Sequence, residues 1–183
     1  MSYFDYYPKI TYNGKRATNL LLRSEIVREV FNKRSAFYTY IIKDGETAEG
    51  LANRFYRDPE LSWVIYYSND MLDPYYDWPL NYTQFNDFLK KKYNKSPQLL
   101  KADIKHYVYT GLSSDTEEDI KRISWFITPE TWNFLTAQEK SGWSSVSIYE
   151  FENQKNEDKR QIRILDPNYI GQIKQELGDT LNA

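Results

Sequence analysis

The chain has 183 residues, enough for one domain or one small core with extended arms. Twenty-four basic and 26 acidic side chains leave a formal net charge of -2, which supplies no global basic field for nucleic acid or an anionic membrane. With no cysteine and a single histidine, His106, the chain is excluded from disulfide chemistry, thiolate nucleophiles, thiolate metal sites and multi-histidine metal centres.

The first eight residues, Met1 to Pro8, carry neither a basic start nor an apolar stretch, so no signal peptide is expected. The longest apolar run, Trp63 to Tyr67, is too short to span a bilayer, and a soluble chain made in a cytosol is the expectation. Lys9–Tyr12 and Lys15–Thr18 flank Asn13-Gly14, the pair that supplies both positive-φ positions of a type I′ turn, and predict a hairpin. Ser24 can cap a short helix to about Asn32 with Ile26, Val27, Val30 and Phe31 on one face. Residues 1–36 therefore read as an N-terminal arm.

Phe37 to Lys43 is β-branched and aromatic, hence a strand, and Asp44-Gly45 turns the chain. Thr47 caps a helix bearing Ala48, Leu51, Ala52 and Phe55. Asp58-Pro59 starts a second helix with Leu61, Val64, Ile65 and Ser68 on one face. Asp70 to Pro79 is an aromatic loop. Asn81 with Gln84 forms a capping-box pattern for a helix through about Tyr93, with Phe85, Phe88 and Leu89 inward. Its lysines, Lys90, Lys91, Lys92 and the following Lys95, read as a solvated helix end that complements the helix dipole, with a phosphate patch as the alternative.

Ile104 to Thr110 predicts a strand, and residues 113–119 an acidic loop. Trp125 to Trp143 mixes aromatics with turn residues and carries no assignable period. Val146–Phe151 and Gln161–Leu165 read as two strands joined by a polar turn at 153–159, with a helix over 148–158 as the alternative. Asp166-Pro167 opens a last helix with Ile170, Ile173 and Leu177 inward, ending near Gly178.

The chemistry that composition leaves open is thin. Glu46, Glu49, Asp58 and Glu60 sit at turn and cap positions, where acids are expected, and no carboxylate pair stands out as a glycosidase couple. His106 lies in a strand. No enzyme, no cofactor and no metal site is expected. The aromatics are the unusual feature: 17 Tyr, 9 Phe and 5 Trp exceed what a core of this size can hide, and such rings suit partner interfaces.

Two blocks carry a resemblance. Tyr40 to Thr47, then Leu51 to Tyr56, then Leu61 and Asn69, resembles a LysM module, which implies a βααβ core and, as one reading, binding to N-acetylglucosamine polymers such as peptidoglycan. The short closing turn and strand expected after Asn69 are absent. Asp58 to Ile65, Asn69-Asp70, and Asp73-Pro74-Tyr75-Tyr76-Asp77-Trp78 resemble the base plate wedge protein 53 family of contractile phages, and Tyr149 to Asn153 with Lys159 to Ile164 is similar to the end of that family. The implied fold is α+β: a small LysM-like βαα(β) core over 37–80, a helix and irregular or β insertion over 81–145, and a C-terminal strand and helix extension over 146–183.

What the resemblance implies is a non-enzymatic structural subunit of the virion, in the tail baseplate, assembled in the host cytoplasm. Expected partners are other wedge subunits, copies in adjacent wedges, and hub or sheath-initiating proteins, with no nucleic acid and no membrane. The residues expected at those interfaces are Tyr3, Phe4, Tyr6 and Tyr7 of the arm, Met71, Leu72, Tyr75, Tyr76 and Trp78 of the loop, and Ile162 and Ile164 on a strand whose edge is free to pair. The alternative function is a peptidoglycan-binding LysM protein.

Overall fold

The computed structural model describes residues 3–21, 34–113 and 121–182. The helix expected over 24–32 and most of the acidic loop over 113–119 lie outside the described residues. Helices and small antiparallel sheets share the chain, so the protein is α+β.

Before the first unit closes, the chain runs through β1 (Lys9–Tyr12), β2 (Lys15–Thr18), β3 (Phe37–Ile41), α1 (Ala48–Tyr56), α2 (Ser62–Ser68) and α3 (Pro74–Asp77). It continues through α4 (Tyr82–Tyr93), α5 (Pro97–Ala102), β4 (Ile104–Ser113), β5 (Lys121–Ile127), α6 (Pro129–Asn133), β6 (Trp143–Ser147) and α7 (Ile148–Asp158). It ends with β7 (Gln161–Leu165) and α8 (Ile170–Asn182). These form two compact units: Met1–Pro79 with Lys159–Ala183, and Leu80–Asp158. The second is thus an insertion in the sequence of the first.

In the first unit, Asn13 and Gly14 adopt the positive φ that a type I′ turn demands, and β1 pairs with β2 as the sequence predicts. Thr47 accepts the Gly50 N–H and starts α1. Asp58 accepts the Glu60 N–H and leads through a 3-10 turn at Pro59–Leu61 into α2. Leu51, Leu61, Val64 and Ile65 are buried together with Ile42 and Ala52, and Phe55 packs on them. The strand that closes this core is β7, which lies antiparallel to β3 with Tyr40 opposite Ile162 and Tyr38 opposite Ile164. In the sequence β7 lies some ninety residues beyond Asn69. Asn69 marks the join: its amide donates to Ile65 O and Arg163 O and accepts the Arg163 N–H.

The last helix does not stop at Gly178 but runs to Asn182. Ile173, Leu177 and Leu181 continue one buried stripe past the glycine. Burying that stripe outweighs the roughly 1 kcal/mol that an interior glycine costs.

In the second unit, Phe85, Leu89 and Leu100 form a small core with Leu80, Phe88, Tyr93, Ile148 and Tyr149 packed against it. The Asn81–Gln84 capping box is present in full. Its sheet has the order β5-β4-β6, all antiparallel. The strand expected over Val146–Phe151 is corrected: β6 stops at Ser147 and α7 follows, as the helical alternative holds. The cause is a local capping box. Ser147 Oγ accepts the Glu150 N–H, and the Glu150 carboxylate accepts the Ser147 N–H.

α7 brings two buried polar groups to this unit. Asn156 accepts the Leu80 N–H and donates to Leu80 O. Glu152, 5% exposed, accepts from Lys92 Nζ at 2.8 Å and Tyr93 OH at 2.6 Å. Burial pushes the Glu152 carboxyl up, but the Lys92 and Tyr93 hydrogen bonds and the charges of Lys92 and Lys155 outweigh it, so the net pKa lies below the ordinary 4.5. Burial and the same carboxylate push Tyr93 up to about 12. A carboxyl depressed on folding stabilises the fold above its unfolded pKa and loses that contribution as pH falls through the folded value. The wild-type chain is therefore expected to lose stability on acidification below about pH 4.5, and Glu152→Gln to lose less over the same span. Urea midpoints for both chains at neutral and acidic pH check this; an equal acid sensitivity would show that Glu152 is not a main source.

Candidate functional site

The aromatic loop is built by three aspartates. Asp70 takes the left-handed conformation, φ 54°, two residues after α2 ends. Asp73 caps α3 by accepting the Tyr75 N–H at 3.0 Å. One oxygen of Asp77 accepts the N–H groups of both Leu72 and Asp73 at 2.9 Å. The loop is thereby stapled at both ends of its single helical turn.

Its hydrophobic residues divide into anchors and presented groups. Met71 packs against the core, and its N–H donates to Tyr66 O. Trp78 folds back: its indole N–H donates to Glu46 O at 2.9 Å, and its ring meets Tyr66 edge-on at 5.9 Å. The intervening Leu72, Tyr75 and Tyr76 point outward, at 95%, 89% and 74% exposure. Lys159 Nζ donates to Tyr76 O and ties the helical turn to the segment just before β7.

The arm residues divide likewise. Tyr7 lies in the core, and Tyr3 donates or accepts through its hydroxyl at Tyr7 OH, 2.8 Å away. Tyr3 and Tyr6 both pack on Trp63, at centroid distances of 5.4 and 6.5 Å. Phe4 and the hairpin's Tyr12 remain exposed. Ile162 and Ile164, expected to face a partner, are instead buried in the first core, because β7 places that face under α1 and α2. The β7 edge, expected to be free, is covered at Arg163 by the Asn69 amide.

The titratable groups cluster structurally. Glu46 accepts from Tyr40 OH, the Lys43 N–H and Arg54, whose guanidinium lies 2.8 Å away. Burial raises the Glu46 carboxyl and these donors lower it, with a net decrease. A carboxylate with these donors fixed around it is a brace for the β3–α1 turn. His106 sits edge-on to Phe126 at 5.9 Å and Phe151 at 5.5 Å, and burial and then Lys105 lower its pKa. It lines a groove of about 850 Å³ with Val146, Phe151 and Glu150. Glu150 in that lining caps α7 through Ser147. No group of three His, Cys, Asp or Glu residues able to hold a metal occurs among the described residues. No helix among them is long and apolar enough to cross a membrane.

Sequence reading missed exposed rings in the segment it could not assign. Trp125, Phe126 and Phe134 stand out in the second unit, while Tyr107 stacks on Trp132 at 3.8 Å. Strand alternation around Trp125-Phe126 was the available signal, but it is masked by the aromatic character of both faces.

Residues 3–96 match the family model described as base plate wedge protein 53. The chain is also 28% identical over 159 residues to the baseplate wedge protein gp53 of Enterobacteria phage T4, covering 82% of this chain and 78% of that protein.

Proposed function

The chain belongs to the base plate wedge protein 53 family, and from that premise we propose that it is a structural, non-catalytic subunit of a phage-tail baseplate wedge whose stapled aromatic loop is a joint to other wedge subunits. The observation that carries this reading is the division within the loop. Met71 and Trp78 spend their apolar surface on holding the loop, while Leu72, Tyr75 and Tyr76 hold theirs in solvent. A loop already fixed by Asp73 and Asp77 loses little entropy when a partner covers it. Rigid tyrosines beside an aliphatic side chain are the usual material of interface anchors. Copies in adjacent wedges and hub or sheath-initiating proteins are the further partners this reading admits, in a virion assembled in the host cytoplasm.

The test is a Tyr75→Ala/Tyr76→Ala chain. Both rings are exposed, so unfolding free energy should stay within about 0.5 kcal/mol of wild type. Each ring, if central, is worth about 2 kcal/mol to binding, roughly thirtyfold in affinity. Wedge assembly from purified subunits, and recovery of intact particles from a complemented deletion, should therefore both fail. Normal assembly by the double variant would remove the loop from the joint.

A further inference from the structure

In the second unit β4 carries one residue more than its partner. Ile104 lies opposite Ser147 and His106 opposite Val146, so Lys105 is a bulge with no counterpart on β6. In an unbroken strand neighbouring side chains point to opposite faces. Here Lys105 and His106 both line the groove of about 850 Å³ between this face of the sheet and α7. The floor is apolar: Val146, Phe151 and Phe126, which is 75% exposed, with the His106 ring edge-on to both phenylalanines. The Lys105 and Lys155 ammonium groups stand over the Phe151 ring, 5.6 and 4.3 Å from its centroid. Neither is within ion-pair distance of a carboxylate among the described residues. Glu150, the acid of the lining, accepts the Ser147 N–H and hydroxyl through one oxygen.

We propose that this groove binds an extended acidic segment of a partner protein, with one large apolar side chain set between carboxylates. The apolar side chain covers Phe126, Val146 and Phe151, and the carboxylates meet Lys105 and Lys155. A volume near 850 Å³ accepts several side chains, more than a single small anion fills. The exposed Phe126 ring beside that concavity is stabilised by an apolar group that removes it from water. Two lysines without ion pairs favour negative charge and work against a basic segment. The bulge is the device that turns Lys105 toward this groove, since a regular β4 would put that cation on the far face of the sheet. The groove belongs wholly to the second unit, and its occupancy does not depend on the aromatic loop.

Titration of the full chain into a fluorescein-labelled peptide, Gly-Ser-Asp-Leu-Phe-Asp-Glu-Ser-Gly, followed by anisotropy, tests this. The acidic peptide should bind about tenfold or more tightly than a counterpart with Asn and Gln in place of the acids, and the difference should shrink as salt rises. Lys105→Glu should weaken the acidic peptide about tenfold or more and favour a counterpart with Lys in place of the acids, a reversal that a misfolded chain could not show. Phe126→Ala, at an exposed position, should weaken all three peptides. Lys91→Glu makes the same charge change at the exposed end of α4 and should leave binding as in wild type. No binding of the acidic peptide, equal binding of the neutral one, or unchanged affinity in Lys105→Glu would each overturn the proposal. So would sedimentation in which wild-type chains associate, Lys105→Glu abolishes the association and the acidic peptide does not compete, which would assign the groove to a second copy.

Discussion

Leu51→Ala is expected to cost about 2–5 kcal/mol of unfolding free energy. Leu51 is fully buried on α1, in the cluster that joins α1 and α2 to β3, β7 and α8. Truncating it removes apolar area and leaves a cavity that four surrounding elements cannot close together, which places the expected cost well above the transfer term alone. With native stabilities usually about 5–15 kcal/mol, a loss of this size leaves little reserve in the first unit. The control is Leu72→Ala, the same chemical change at a 95% exposed site, expected to fall within about 0.5 kcal/mol of wild type. Urea unfolding of both variants gives the comparison. Equal, small effects would mean that the α1–α2 face is not the core of this unit.

Asn69→Ala should be the most damaging polar substitution. It removes one hydrogen bond to Ile65 O at the end of α2 and two to the backbone of Arg163. Arg163 is left with an outward N–H and C=O at a sheet edge, and the β7 strand loses its tie to the helix. A cost of about 1–3 kcal/mol follows from the unpaired groups. A change of behaviour should accompany it: the β7 edge, once uncovered at Arg163, is a template for association with another chain. Asn69→Asp keeps the acceptor for the Arg163 N–H but loses both donated bonds and faces two carbonyls with a carboxylate, so it should not rescue. Chemical denaturation measures the first effect and light scattering at increasing concentration the second. An Asn69→Ala chain as stable and as monodisperse as wild type would show that the edge needs no cover.

Local chemistry made much of this protein legible from its sequence. Asn13-Gly14, Thr47, Asp58-Pro59, and Asn81 with Gln84 each act within a few residues, so their turns and caps follow from backbone sterics and short hydrogen bonds alone. The helical spacing of Leu51, Leu61, Val64 and Ile65 marked the core face for the same reason, and the Asp58–Trp78 stretch carried the family. The Ser147–Glu150 box is equally local, and it was the alternating apolar residues beside it that kept the strand reading in play.

Tertiary structure alone decided the rest, because it depended on which distant segment completes each face. Nothing near Asn69 indicates that its amide binds Arg163, or that Ile162 and Ile164 complete the core under α1 and α2 and leave no face for a partner. An alternating strand has one apolar face in either case; only the pairing of β7 with β3 says what covers it. The division of the aromatic loop, with Trp78 turned in to Glu46 O and Tyr75 and Tyr76 turned out, is of the same kind. All three are large amphipathic rings with one polar handle, and the indole turns inward where the β3–α1 turn offers its N–H an acceptor.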